Sequence, residues 1–511
     1  MEPITTYINV ANLPDEILTG SPGLSNAVPD DGRDDAEAIQ AAIDWVALQQ
    51  ARGAAQSTTI YLPEGTFDLG ETLKIDTPGL TLEGAGGGLT LLRNADGFQV
   101  GIEALSDRGV NLDTLNREAY LFDLGENADG VTFANMALTG PELHGAVFGF
   151  GSDNLEIRDV EFNNFAWSSV RLFNLSGAKI HGNRFVDAGG QANGTSGQSG
   201  GSIYGTFLRD SEIDNNVLSR SGDREGNVYG IKGRKFSNVR IHHNTINTNF
   251  SIELPFENDD FVEIDHNFLD GVVSIPKFGG GPVPDGGFTF HIHHNYFTSS
   301  YSLEWTRNGA EIDHNVFDFS PEEDRGNLIS SFGQEKADGP TAFHNNFILN
   351  PGRGVFWSRG IYNNFSFYNN EIIANETETP RTEGLFGFSS ETDFSTVSIR
   401  DNVIRVNGLS RPLFRNENSA NANIENNTLS NISDADSFDN LDTGAPRGLL
   451  EPLLFQVGVD GEFTVDSSAL RASAEDTSAE STSAVVTSAN SSWFSQLFNQ
   501  FEIAISRLRQ R

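Results

Sequence analysis

IHHNTINTNFSIELPFENDDFVEIDHN, residues 241–267, holds one four-residue motif twice. IHHN ends at Asn244 and IDHN ends at Asn267. Between the two copies, apolar residues alternate with polar ones over short runs, and Asn and Asp punctuate them. That pattern has the two-residue period of a strand and not the 3.6-residue period of a helix. A motif that returns after so short an interval asks for a structure built from stacked copies.

The series extends well beyond this stretch. IHGN ends at Asn183, IDNN at Asn216, IHHN at Asn295, IDHN at Asn315, FHNN at Asn346, FYNN at Asn370, IRDN at Asn402 and IENN at Asn427. From Asn183 to Asn427 there are nine intervals over 244 residues, roughly 27 each. Looser copies, FANM at 133–136 and IRDV at 157–160, precede them. A period of this size marks stacked supersecondary units. Ile, Val and Phe supply the inward positions. A fixed Asn in each unit suits a tight bend, because Asn tolerates left-handed geometry. Stacked bends also let Asn side chains pair up and down a column.

The totals set limits. The chain has 511 residues, 33 basic and 71 acidic side chains and a net charge of −38. Such acidity argues against a nucleic-acid partner and leaves an acidic substrate dependent on local cations or a metal. There is no cysteine, so no disulfide supports the fold. The start, MEPITTYINVANLPDEI, has neither a basic segment nor an apolar core of the Sec signal type. No run of 18 apolar residues provides a membrane span.

With DDAEAIQAAIDWV (34–46), TIYLPEGTFDLG (59–70) and LTLEGAGGGLTLLR (80–93), the repeat resembles the pectate-lyase-like superfamily. The first segment reads as an amphipathic helix with Ile39, Ile43 and Val46 on one face. It resembles the superfamily's capping helix, and the other two its first turns. The resemblance implies an all-β chain, a single-stranded right-handed parallel β-helix with an N-terminal capping helix. The expected organisation is an extension over 1–24, the β-helix over 25–455, a Ser/Ala/Thr-rich linker over 456–492 and an amphipathic helix over 493–511. Trp493, Leu497, Phe501 and Ile505 form the stripe of that last helix, which reads as a cap on the last turn or as a targeting element. This fold carries lyases, hydrolases, epimerases and tailspikes, so it leaves the chemistry open.

In a solenoid, equivalent positions stack about 4.8 Å apart. Aligning SVRLF (169–173), SIYGTF (202–207), NVYGIK (227–232), FSIELP (250–255), VVSIPK (272–277) and YSLEW (301–305) puts Val170, Ile203, Val228, Ile252, Val273 and Leu303 inside. Arg171, Tyr204, Tyr229, Glu253, Ser274 and Glu304 then face outward, with Lys232 and Lys277 at the strand's far end. Gly-rich connections at 188–201, 219–227 and 277–288 are expected to wall this patch. A second outward column alternates His and Asp: His181, Asp214, His242, Asp265, His293, Asp313 and His344, with His243, His266, His294 and His314 one place on. Most of the ten histidines lie there. The column reads as an ion-pair and hydrogen-bond ladder, or as metal ligands or bases centred on His242, Asp265 and His293.

These residues suit removal of the proton beside a uronate carboxylate, which needs a base, an acid for the leaving oxygen and a cation for the carboxylate. Tyr204, Tyr229, Lys232, Lys277 and Glu253 are the catalytic candidates; Arg171, Glu304, Arg307, His242, His293 and Trp305 are the substrate-binding ones. The set resembles the Tyr-and-Lys arrangement of some β-helix alginate lyases. It implies a secreted or cell-surface polysaccharide lyase acting on an acidic polymer such as alginate, as a monomer. No metal site is assigned, although Glu257, Asp259 and Asp260 offer oxygens for Ca²⁺. A C5-epimerase would use the same parts. A glycoside hydrolase would use Glu253 with Glu304, and a non-catalytic glycan binder would use Tyr301, Trp305 and Trp357.

Overall fold

Isoleucine marks the rungs. Ile157, Ile180, Ile213, Ile241, Ile264, Ile292 and Ile312 are successive Cα partners, continued by Phe343, Phe367, Ile399 and Ile424. The computed structural model describes residues 5–21, 23–53, 57–98, 117–141, 143–187, 200–220, 228–254, 260–275, 289–298, 303–305, 309–319, 327–331, 336–337, 340–358, 361–362, 364–375, 384–388, 392–408, 411–414, 422–430, 455–457 and 463–465.

A representative turn has three strands, Ser237–His242, Thr245–Asn247 and Phe250–Glu253. Each pairs in parallel with its counterpart on the next turn. Among the described residues, first and second strands join in one sheet of 27 strands, and third strands form another of 12. The result is a single-stranded right-handed parallel β-helix. Its interior is one apolar core running from Ile8 to Phe414. Fully burying each Ile or Phe contributes about 1.5–3 kcal/mol, so stability accrues turn by turn.

Between first and second strands the chain bends through two residues with separate tasks. The sequence suggested that the repeated Asn itself adopts the left-handed conformation. The structure instead puts the preceding residue there: Asn215, His243, His266, His294, His314, Asn345 and Asn369 all have φ of 53–54°. The Asn that follows points inward and is buried. Asn244 Nδ2 donates to Ile213 O at 2.9 Å and to Asn267 Oδ1 at 3.0 Å, and its backbone N–H donates to the same Oδ1 at 2.9 Å. The arrangement recurs from Asn183 to Asn402, ending on Asn427 as acceptor. The expected Asn column is therefore present, and it satisfies the buried polar groups of the bend.

At the N-terminal end a helix spans Ala36–Ala51 and buries Ile39, Ile43 and Val46. It packs against the strands Ser57–Leu62 and Leu73–Ile75. Ahead of it, Thr5–Asn9 pairs in parallel with Ser57–Leu62. The large sheet thus starts within the expected extension, before residue 25. At the other end the last described rung is Thr428–Ser430. Phe455–Val457 and Phe463–Val465 pair antiparallel. The rest of the linker and the helix expected over 493–511 lie outside the described residues.

Candidate functional site

The outward column of the third-strand sheet runs Asp123, Phe148, Arg171, Tyr204, Lys232, Glu253 and Ser274, each the Cα partner of the next, and the same backbone register continues through Glu304, Ser330 and Trp357. Period-two alternation puts Glu253 outside, between buried Ile252 and buried Leu254, as the sequence suggested. Glu304 lies two rungs from Glu253, also as expected.

One register differs. Tyr204 pairs with Lys232, not with Tyr229, because Ile231 and not Val228 takes the inward place beside Ile203. The alignment of SIYGTF with NVYGIK, with Ile203 and Val228 inward, had placed Tyr204 beside Tyr229. The structure matches Gly205 with Gly233 instead. A Cβ on either glycine would come within 2.7 or 2.4 Å of the Phe236 ring, so both must lack a side chain for that ring to fill the core. Tyr229 sits opposite Gly201 and stacks on Phe250 at 4.6 Å. Lys232 therefore moves from the strand's end into the centre of the column.

The centre is cationic and aromatic. Arg171 lies over the Tyr204 ring at 4.0 Å, with Lys232 Nζ at 5.5 Å and the Arg234 guanidinium at 5.7 Å from the same ring. Lys232 Nζ is also 4.9 Å from the Tyr229 ring and 3.0 Å from Glu253 Oε2. Arg171 donates to Leu172 O, Tyr204 O and Thr206 Oγ1. It is fully buried, as is Tyr204, while the Glu253 side chain retains 16% of its exposure. The sequence cast Arg171 as an open substrate contact. Its bonds make it a support under the phenol, and Glu253 is the accessible member.

Neighbouring turns add groups that the sequence reading missed. Phe148 continues the column beside Arg171, and Tyr120, Phe148, Trp167 and Tyr204 form one buried cluster. His144 joins it, 6.1 Å from Tyr120 and 6.3 Å from Trp167. Among the described residues, Tyr120 Oη, both His144 ring nitrogens and Trp167 Nε1 have no hydrogen-bond partner. Burial lowers the His144 pKa to about 4 and raises that of Tyr120. GAVFGF (145–150), one unit upstream of SVRLF, carried the signal: its alternation already placed Phe148 outward.

Other expected members fall elsewhere. Lys277, Arg307 and Tyr301 lie outside the described residues, as do Glu257 and Asp259 and most of the three Gly-rich connections. Trp305 shares register with buried Ile275, the opposite parity to Glu304. His242 and His293 belong to the other sheet and do not meet the Tyr204 group.

On that other sheet the expected ladder is present. His181, His242, His293 and His344 each place Nε2 at 3.0–3.1 Å from a Glu on the preceding turn: Glu156, Glu212, Glu263 and Glu311. Asp265 accepts from Arg240 and from His266 Nδ1, and Asp313 from His291 and His314. The left-handed His243, His266, His294 and His314 stack their rings at 5.0–5.2 Å. Burial, then the neighbouring imidazoles, lower the pKa of His243 and of His294 to about 4. For Asp265 burial works upward, but the bonds from His266 and Arg240 prevail and hold it below the usual carboxylate range.

Residues 25–123 match the family described as rhamnogalacturonase A/epimerase, pectate lyase-like. Among solved structures, PfbA, a surface adhesin of Streptococcus pneumoniae, is 15% identical, with 90% of this chain and 98% of that chain covered and a TM-score of 0.48. The tailspike of E. coli bacteriophage HK620, in complex with a pentasaccharide, is 12% identical over 78% of this chain and 72% of its own, with a TM-score of 0.52. A variant of that tailspike with the same ligand is 12% identical over 82% and 80%, at 0.54. No curated protein matches the sequence. The fold shared with these tailspike structures is the right-handed parallel β-helix, and the pectate-lyase-like family match lies in its N-terminal part, residues 25–123. Among the described residues, no helix is long and apolar enough to cross a membrane.

Proposed function

We propose that the protein is an extracellular or surface polysaccharide lyase that cleaves a uronate-containing polymer by β-elimination at the Tyr204–Lys232–Glu253 column. One observation carries the reading: a phenol, an ammonium and a carboxylate occupy three consecutive rungs of one outward column, with Lys232 and Glu253 in contact at 3.0 Å. In the reaction a base takes the C5 proton beside the substrate carboxylate. The electron pair forms the C4–C5 double bond, the C4–O bond breaks, and the leaving oxygen takes up a proton. Lys232 supplies the positive charge for the substrate carboxylate once that carboxylate displaces Glu253. Tyr204, buried in the free protein and held by Arg171, is the proton-transfer group once displacement of Glu253 opens the column to substrate. Alginate is the first substrate to try and pectate the second. In a chain of net charge −38, cations gathered on one ring form a local exception suited to an anionic sugar.

The Glu253–Ser274–Glu304 register supports a second reading, an inverting glycoside hydrolase. Two rungs separate the acids by roughly 10 Å, close to the upper end of the spacing such a pair uses. The test is ultraviolet absorbance during incubation with alginate, pectate, hyaluronan and chondroitin, each with calcium or with chelator. A rising signal from an unsaturated uronide supports the lyase. Reducing ends without absorbance support the hydrolase. Silence in both assays with retained glycan binding leaves a non-catalytic binder.

A further inference from the structure

Nine of the ten histidines lie on the long sheet, away from the Tyr204 group, and the proposed lyase reaction uses none of them. They fall into a two-turn repeat that brings nitrogen and carboxylate oxygen together at regular intervals. Glu212, Asp214 and His242 form one group, Glu263, His291 and His293 the next, and Glu311, Asp313 and His344 the third. In each group the potential ligand atoms lie within 4.8 Å of one another. His242, His293 and His344 occupy alternate rungs, so the groups repeat at about 10 Å along the sheet.

His242, His293 and His344 are held as metal ligands require, whereas His291 places Nε2 at 2.7 Å from Asp313 Oδ1 and must release that bond to join the central group. His242 and His293 present Nε2 to a Glu carboxylate of the preceding turn. Their Nδ1 atoms meet Nδ1 of His243 and His294 at 2.7 and 2.8 Å. The left-handed histidine one place on thus fixes the ring orientation, as outer partners of metal-bound imidazoles do. Asn345 does the same for His344, with Nδ2 at 3.1 Å from Nδ1. A donor set of imidazole nitrogen and carboxylate oxygen suits Zn²⁺ and its first-row neighbours better than Ca²⁺, which favours oxygen alone. An open depression of about 260 Å³ borders Glu212 and Glu263, one carboxylate from each of two groups, with Arg240 between them at 3.5 Å from Glu263.

We propose that this face binds a row of divalent transition-metal ions of the Zn²⁺ class. The centre is Glu263–His291–His293, and related sites, with an Asp in place of the second imidazole, lie two turns to either side at Glu212–Asp214–His242 and Glu311–Asp313–His344. The central site, with two imidazoles, is the tightest.

The full chain is stripped with chelator, dialysed against Zn²⁺ and washed, and metal per chain is measured by mass spectrometry. Calorimetry with Zn²⁺, and separately with Ca²⁺, gives the affinities. Between one and three Zn²⁺ per chain is expected. H293N should remove the tightest site, and E263Q, on the neighbouring turn, should weaken it. H294N, which keeps every ligand but removes the partner of His293 Nδ1, should weaken it by about 10- to 100-fold. Circular dichroism of each variant checks that the β-helix persists. Less than one Zn²⁺ per chain, Ca²⁺ bound as tightly as Zn²⁺, or Zn²⁺ binding unchanged in a folded H242N/H293N/H344N variant would each overturn the proposal.

Discussion

Lys232 and Glu253 face each other across adjacent rungs with 3.0 Å between Nζ and Oε2, and their side chains keep 3% and 16% of their exposure. The pair is therefore asymmetric. Substituting Glu253 by Gln removes the counter-charge beside an ammonium that water hardly reaches, whereas substituting Lys232 by Met leaves a carboxylate that turns to solvent. E253Q should cost on the order of 3 kcal/mol, the penalty of breaking a buried pair. K232M should cost clearly less. Urea midpoints of the two variants decide this; equal midpoints would show that Lys232 does not depend on Glu253 for its charge.

Tyr204 separates the chemistry from the fold. Its ring packs in the aromatic cluster, and Phe preserves that packing. Y204F should lower the rate of β-elimination by roughly 100-fold or more, the contribution of a positioned proton-transfer group. The urea midpoint should stay close to wild type. Full activity in Y204F would move the proton transfer to another residue.

Asn295 tests the inward column. Its Oδ1 accepts from the Asn267 backbone and side chain, and its Nδ2 donates to Ile264 O, His293 O and Asn315 Oδ1. N295A takes the side-chain partner from Asn267 N–H and Ile264 O on the preceding turn, at about 1–3 kcal/mol for each group left unsatisfied. I292V, which trims one methyl from the adjoining core, costs about 0.5–1.5 kcal/mol. N295A should thus unfold at lower urea than I292V, the reverse of what side-chain volume alone would give for a surface bend.

The histidine stack predicts acid sensitivity with a definite sign. His294 is held near 4 by burial and then by the charges of His293, His266 and His314. A histidine with a lowered folded pKa contributes stability that is full above the unfolded value of about 6.5 and is lost as the pH falls toward 4. Asp265 and Asp313 are held below the carboxylate range, so their contribution is lost only at still lower pH. His291 does not add to the acid loss: burial lowers its pKa, but Asp313 outweighs this and raises it. The melting temperature should therefore drop between pH 6.5 and 4. H294N should drop less, since Asn345 and Asn369 already hold the same left-handed conformation. Parallel thermal scans at pH 7 and pH 4.5 measure the difference.

The fold was legible because the period of the Ile-x-x-Asn motif is also the length of one turn. Each Ile fixes an inward place and each Asn a bend, so neither is ambiguous about direction. The site was legible only in part. Glu253 lies between two apolar residues and could be oriented from its neighbours alone. Lys232 could not, because Tyr204-Gly205 and Tyr229-Gly230 look alike, and the volume of Phe236, several residues later, decides which glycine matches Gly205. His144 and Trp167 were hidden for a different reason: they flank strands and belong to no repeating column.

The charges on the long sheet alternate by turn. Glu212 and Asp214 are followed by Arg240 and His242, then Glu263 and Asp265, then His291 and His293, then Glu311 and Asp313. Excising one turn would set carboxylates directly against carboxylates, and imidazoles against Arg or His, whereas excising two restores every pairing. In this stretch the natural increment of chain length is a doublet of turns. A family of such proteins would lengthen and shorten here by even numbers, with the odd-numbered intermediates removed by their own electrostatics.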